Sequence, residues 1–377
     1  MKISELLLEY RRDVTQQKLA KELGIIANNE KITPEDVLVQ VELGSNHMGD
    51  FQLCRQMVEA AVQAGVDAVK LQKRDNRHLF TKALYGSPYN SEHAYAPTYG
   101  EHRDHLEFGE YEFRAVRQMC DAAGVHFIAT PFEEHSVEFL HNAEVDAFKI
   151  ASSQLKDTPL MLKMAKYKKP IILSTGGGQY KDIMRAWDVL SDLRAEFAIL
   201  HCTSLYPTKD EDLNLDFIST LRRSFQETII GFSSHHPGLE PNIIATILGA
   251  RIIEVHFTMN RGFPGTDHGF SFEPGGLRRL VEDARRIPIM RGCLVKTVGD
   301  KERSGFVFKQ GRAIHPLRPI RQGEVLGLDN IGLKAPAEGP PPYEFGKYIG
   351  KIAVCDLSTT DTLAPEMVQD VRPMGDL

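Results

Sequence analysis

Eight short apolar runs alternate with segments of helical spacing across residues 36–290, and this rhythm restricts the possible folds more than any other feature. The runs are VLVQVEL (37–43), AVKLQ (68–72), HFIATP (126–131), AFKIAS (147–152), PIILST (170–175), FAILHC (197–202), TIIGFS (228–233) and IIEVHFT (252–258). They are rich in Ile, Val, Phe and Ala without clean alternation, as parallel strands covered by helices read. Between them, Leu53, Met57, Ala61 and Ala64 form one helical stripe, and Phe113, Val116, Met119 and Ala123 another. Gly65 and Gly124 stand where those helices should stop, and Asp157 with Pro159 marks the start of a third. Right-handed crossovers and eight successive βα units point to a closed barrel more than an open sheet. The expected fold class is α/β, a TIM (β/α)8 barrel.

The barrel is expected over 36–292, after a polar N-terminal extension (1–35) and before a charged linker (293–304). Residues 305–377, with short β-like pieces, Gly turns and a GPPP segment, suggest a small β-rich second domain. The stretch from Lys73 to Phe108 shows no helix or strand pattern. It follows the second strand, so it should lie over the C-terminal face, where such barrels keep their chemistry. A composition 42% hydrophobic and 25% charged excludes disorder, collagen and coiled coil. A net charge of −6 offers no basic footprint for nucleic acid or anionic lipid. No apolar run approaches a membrane span, and MKISELLLEYRRD carries charges where a signal peptide needs apolar residues. Five scattered cysteines without a CxxC fit a reduced, cytoplasmic protein better than a disulfide framework or a cysteine zinc site.

Polar residues gather at the strand ends: Glu42, Lys70, Gln72, Thr130, Lys149, Ser152, Ser174, Thr175, Ser204, Tyr206, Ser233, His235 and His256. Any single one reads as a loop-entry residue, but a barrel brings all eight ends to one pocket. Lys70 and Lys149 sit inside apolar runs, where a lysine needs an opposite charge. They read either as a structural ion pair with a carboxylate such as Glu42 or, preferred here, as a clamp for an anionic substrate, with the nearby hydroxyls as donors. His235 and His256 end neighbouring strands and could hold a divalent cation with open positions, although His236 leaves the inward-facing histidine of strand 7 undecided. STGGG (174–178) lacks a nucleotide-loop pattern and is as well explained by a tight turn. His201 and Trp187 read as packing residues.

In this order, the motifs VELGSNHMGD, AGVDAVKLQ, PYNSEHAYAPTYGEHRDHLEF, FIATPF, FKIASSQ, ILSTGG, HCTSLYPT, GFSSHHPG and VHFTMNRGFPGTDHGFSFEP resemble the sialic acid (nonulosonate) synthase family. The tail GRAIHPLRPIRQGEVL resembles the antifreeze-like SAF (β-clip) domain that follows the barrel there. The resemblance implies a transferase that condenses phosphoenolpyruvate with an N-acetylmannosamine-type sugar, with or without a 6-phosphate, giving a nine-carbon 2-keto-3-deoxy acid and phosphate. Carried over by motif, Lys70, Thr130, Lys149, Ser152, Ser174, Ser204 and Ser233 would hold phosphoenolpyruvate. His235 and His256 would ligate Mn2+ or Mg2+. Glu42, Gln72, His93, Arg103, Tyr206 and Asp267 would face the sugar, with Arg103 and His102 near any sugar phosphate. Arg312 matches an arginine that serves the neighbouring subunit's sugar site, which implies a domain-exchanged homodimer.

Two departures stand out. Where the family commonly has an acid two residues after the strand-4 serine, a candidate catalytic position, this chain has Gln154; where it has Asp before the strand-7 histidine, this chain has Ser234. The alternatives are another phosphoenolpyruvate-dependent or metal-dependent aldol-type barrel enzyme, and a non-catalytic carbohydrate-binding relative.

Overall fold

Strand pairing in the computed structural model, which describes residues 37–292 and 296–370, closes the rhythm into a barrel. Its strands are β1 (Leu38–Glu42), β2 (Ala68–Lys73), β3 (His126–Pro131), β4 (Ala147–Ile150), β5 (Ile171–Ser174), β6 (Phe197–Cys202), β7 (Ile229–Ser234) and β8 (Ile252–His256). All neighbours are parallel, and β8 returns to pair with the whole of β1. The extension assigned to 1–35 lies outside the described residues.

Helices cover the outside because each buries one stripe and is stopped at both ends. In α1 (Phe51–Gln63), the Asp50 carboxylate caps the N–H groups of Gln52 and Leu53, and the buried face is Cys54, Met57, Val58 and Ala61. The segment from Lys73 to Phe108 departs from the expectation of an unstructured loop: it holds α2 (Asn76–Leu79), α3 (Lys82–Tyr85) and α4 (Tyr99–His105). They are too short to show periodicity, but each has a side-chain cap, from Asp75, Thr81 and Thr98 respectively. Next comes α5 (Glu110–Ala123), ended by Gly124 at φ +68°, a left-handed conformation that glycine adopts without penalty. The outer layer continues with α6 (Glu134–Asn142), α7 (Thr158–Ala165), α8 (Tyr180–Asp192), α9 (Phe217–Ser224), α10 (Glu240–Ile247) and α11 (Pro274–Arg291). Asp157 accepts from the Leu160 N–H and Pro159 occupies the first turn of α7.

Because strand side chains alternate between faces, every second residue enters the barrel. The outward set (Val39, Val41, Val69, Leu71, Phe127, Phe148, Ile150) joins the helices in the main core. The inward set begins apolar, with Leu38, Ala68, Ile128, Ala147, Ile172, Ala198, Leu200 and Ile252 plugging the bottom. Two residues further along, the same rows become polar: Gln40 and Glu42, Lys70, Thr130, Lys149, Ser174 and Glu254. This switch along the strand direction, in place of a third apolar layer, opens the mouth of the barrel as a polar basin.

The chain divides into two compact units, Met1–Leu294 and Val295–Leu377. In the second, β9 (Ala313–Pro316) pairs antiparallel with β10 (Ile331–Lys334), and β11 (Ile352–Ala353) with β12 (Val368–Gln369). Ile314, Ile320, Leu326, Ile331, Leu357 and Leu363 form its core. The stretch read as a linker, 293–304, is not free of structure: a short helix, α12 (Asp300–Gly305), starts within it, while Cys293 to Val295 lie outside the described residues. Among the described residues no helix is long and apolar enough to cross a membrane.

Candidate active site at the mouth of the barrel

Strand register alone sets the first contacts: Glu42 lies level with Lys70 of β2 on one side and His256 of β8 on the other. Glu254, two residues before His256, lies level with Gln40 of β1 and Ser233 of β7. Glu42, Lys70, Ser233, Glu254 and His256 edge a cavity of about 850 Å3.

Its floor is a buried charge network. The Lys70 ammonium pairs with Glu42, donates to Thr130 Oγ1 at 3.3 Å and lies 3.8 Å from Glu254 Oε1. The Lys149 ammonium donates to Ser174 Oγ at 2.5 Å and to the Ile150 carbonyl at 3.2 Å, and also lies 3.8 Å from Glu254 Oε1. Glu254 accepts from Ser233 Oγ at 2.9 Å and from the Gln40 amide. Burial works against charge on both lysines, with opposite outcomes. Lys70 faces Glu254 and Glu42 and is held above its usual range. Lys149 has the weaker share of carboxylate and faces Lys70, so it is held below. Burial would raise Glu254, but Lys149 and Lys70 outweigh it and bring the carboxyl down to about 2. The sequence reading had Lys70 as either ion pair or clamp; it is an ion pair whose ammonium still edges the cavity.

Hydroxyls form an arc beside Lys149. Ser152, Ser174, Ser204 and Ser233 all line the cavity, with Gly176, Gly177 and Gly178. The Gly176 N–H donates to Ser152 Oγ at 3.0 Å. A Cβ at Gly176 would come 2.1 Å from Ser204 Oγ and 2.8 Å from Ser152 Oγ, so any side chain there would push the two hydroxyls aside. The glycine run is therefore part of the pocket wall as well as a turn. Ser204 Oγ is buried with no hydrogen-bond partner, an acceptor and donor left for a ligand.

His235 and His256 face each other with ring centroids 5.3 Å apart. The His235–His236 ambiguity resolves in favour of His235: His236 turns away to Asp210, 2.9 Å from its Nε2. His235 Nδ1 donates to the Thr203 carbonyl at 2.9 Å, which leaves Nε2 as the free lone pair. Burial, reinforced by His256, pushes His235 down to about 4, so it is a neutral imidazole at physiological pH. His256 Nδ1 is buried with no hydrogen-bond partner, 3.6 Å from Asp267 Oδ2. A neutral imidazole with a free nitrogen beside an orphaned one suits a divalent cation, whose remaining positions water and substrate would fill.

Toward the rim, the Gln72 amide donates to Glu42 Oε2 at 3.2 Å, and Tyr206 stacks on His235 with centroids 4.0 Å apart. Asp267 and Arg103 also line the cavity, Arg103 bonded through Nε to the Tyr99 hydroxyl at 3.2 Å.

Three residues expected at this site, Gln154, His93 and His102, do not line the cavity. Gln154 is buried, accepts from Ser153 Oγ at 2.8 Å and does not line it. It closes a 3-10 turn over Ser152–Gln154, whose three-residue period turns it away from the direction of Ser152. His93 sits in the β2–α4 connection, half-buried, and also does not line the cavity; nor does His102, stacked between Tyr89 and Tyr95. Arg312 belongs to the second unit, exposed just before β9. Conversely, Glu254 and Arg74 were missed. Glu254 sits in IIEVH in the manner of the two lysines, a charge in an apolar run, so the same signal was available. Arg74 lines the wall, stacked 3.6 Å over the Phe132 ring and bonded to Gln72 Oε1 at 2.6 Å. His201 is a packing residue, bonded through Nε2 to the Leu213 carbonyl at 2.8 Å.

Residues 57–296 match the model of the NeuB family, and residues 311–369 that of the SAF domain. The chain is 32% identical over 330 residues to the N-acetylneuraminate-9-phosphate synthase of Homo sapiens, covering 87% of this chain and 92% of that protein. It is 31% identical over 334 residues to the N,N'-diacetyllegionaminic acid synthase of Legionella pneumophila, covering 87% and 93%. The crystal structure of N-acetylneuraminic acid synthetase from Leptospira borgpetersenii superposes with a TM-score of 0.64 at 30% identity, over 72% of this chain and 90% of that one.

Proposed function

The chain belongs to the NeuB family and carries a SAF domain, and we propose that it condenses phosphoenolpyruvate with the open-chain aldehyde of an N-acylated hexosamine, releasing phosphate. The observation that carries this is the convergence of Lys70 and Lys149 under an arc of serines, one orphaned hydroxyl among them, beside His235 and His256. A three-carbon ligand with a carboxylate and a phosphate needs two cations and several neutral donors held in place, and the pocket offers that set.

Lys149, Ser152, Ser174 and Ser204 hold the anionic groups of phosphoenolpyruvate, together with Lys70 and Thr130 on the same floor. A divalent cation on His235 and His256, Mn2+ or Mg2+, would polarise the acceptor's carbonyl oxygen. Carbon 3 of the enol bonds to the aldehyde carbon, positive charge develops at carbon 2, water adds there, and phosphate leaves with cleavage of its bond to carbon 2. The carboxyl groups of Glu42 and Glu254, which line the cavity, favour the cationic stage, while the lysines keep the departing phosphate in place. Asp267, Gln72 and Tyr206 orient the sugar.

The outer wall favours an acceptor that itself carries a phosphate. Arg74 and Arg103 form a second cationic locus, separate from the lysines, and two arginines suit bidentate phosphate recognition. The protein is proposed to act as a homodimer, with Arg312 serving the partner's sugar site. The test is release of inorganic phosphate from phosphoenolpyruvate with a panel of aldoses and their 6-phosphates, with and without Mn2+. Release only with a 2-acylamino hexose or its phosphate, and only with a cation, supports the proposal. Release with a different acceptor, pyruvate in place of a keto-deoxy acid, or no turnover would each refute it.

A further inference from the structure

A second group of ligating side chains lies outside the cavity. Asp75 and His78 stand at the start of α2 and His135 at the start of α6, and one ligating atom from each lies within 4.8 Å of the other two. His78 Nδ1 is 2.7 Å from Asp75 Oδ2, and the His78 and His135 rings meet edge to face with centroids 3.9 Å apart. The buried Glu133 carboxylate completes the group: Oε1 accepts the Asp75 N–H at 3.1 Å, and Oε2 lies 4.0 Å from His135 Nδ1.

We propose that Asp75, His78 and His135 form a binding site for a divalent transition cation of the zinc type, distinct from the His235–His256 pair. Two imidazoles and a carboxylate suit Zn2+, Ni2+ or Cu2+ rather than the all-oxygen preference of Mg2+ or Ca2+. A tetrahedral zinc with bonds of about 2.0–2.1 Å holds its ligand atoms roughly 3.4 Å apart. The present spacing needs shifts on the order of 1 Å, and both histidine side chains are more than half exposed (57% and 58%). The local charge is favourable. Asp75 and Glu133 are both carboxylates, and Arg77 of the same short helix lies over the Tyr85 ring, 4.7 Å from its centroid.

The position gives the site a consequence. Asp75 follows Arg74 on the β2–α2 connection, and His135, in the first turn of α6, follows Phe132 by three residues. Arg74 and Phe132 are the stacked pair in the cavity wall. A cation shared between the starts of α2 and α6 tethers the segments that carry that wall.

The test uses full-length protein stripped with EDTA, in a His256→Ala background so that the barrel pair does not contribute. Zn2+ is titrated in competition with a chromophoric chelator, and Co2+ by its visible absorption. One equivalent should bind, and adding His78→Ala or His135→Ala should weaken it at least tenfold and abolish the Co2+ bands, with the metal-free melting temperature unchanged within a few degrees. Asp75 is left intact because it caps α2. No binding in the His256→Ala protein, or binding that survives both further substitutions, overturns the proposal. Neither readout depends on the reaction catalysed.

Discussion

Replacing Lys149 with Met separates an anion clamp from a structural ion pair. The ammonium is fully enclosed and donates to Ser174 Oγ and to the Ile150 carbonyl. Removing it strips the phosphoenolpyruvate site of one charge-assisted hydrogen bond, worth about 1.5–3 kcal/mol, so the KM for phosphoenolpyruvate should rise about 10- to 150-fold. Stability should change little. Glu254 keeps Lys70, Ser233 and Gln40, and the repulsion between the two lysines disappears. A loss near 1 kcal/mol lowers the melting temperature of a unit this size by a few degrees. The pH profile gives a second readout. Lys149 is held below the usual lysine range, and only its protonated form binds the anion. Affinity should therefore be complete at lower pH and fall as pH rises through that lowered value, giving an alkaline limb that Lys149→Met lacks. Steady-state kinetics across pH, with calorimetric melting, measures both. A large drop in melting temperature, of the size expected when a buried pair worth about 3–5 kcal/mol is broken, with KM unchanged, would refute the reasoning.

The remaining expectations test separate parts of the site. His256→Ala should abolish turnover and its dependence on added cation together, checked by phosphate release over a Mn2+ titration; retained cation dependence would remove the assignment. His235 and His47 are both buried and pushed down to about 4, so the unfolded chain binds protons that the folded one refuses between about pH 6.5 and 4. Stability should fall as pH drops through that window, by roughly 3 kcal/mol for each, followed by denaturant melts at stepped pH. Gly176→Ala should keep the fold and raise the phosphoenolpyruvate KM at least tenfold, because the added methyl displaces the Ser204 and Ser152 hydroxyls. Gln154→Ala should leave kcat within about threefold and cost about 1 kcal/mol in a thermal melt, since the side chain is buried away from the cavity.

The barrel was legible because it is written as a repeat: eight apolar runs, each followed by a helical stripe and ended by a polar residue. The inward rows could be located as well, since a period of two from Glu42 or Lys149 fixes which neighbours share their face. What the sequence concealed depends on contacts between distant segments or on local backbone direction. Gln154 follows Ser152 by two positions, a same-face spacing in a strand, but a 3-10 turn removes it from the pocket. Arg74 is fixed in the wall by its stack on Phe132, far along the chain, and by Glu107. Asp75, His78 and His135 meet only because β2 and β3 are neighbours in the barrel. Helices α2, α3 and α4 were overlooked because four to seven residues cannot display a helical period, although Thr98 and Glu101 carry a capping signal.

A crystal soaked in Mn2+ and phosphoenolpyruvate, recorded at a wavelength where manganese scatters anomalously, tests the central claim most directly. The account predicts an anomalous peak bonded to His235 and His256, with the phosphate and carboxylate of the ligand lodged between Lys70, Lys149 and the serine arc. Manganese absent from that histidine pair, or phosphoenolpyruvate bound without contact to either lysine, would contradict it.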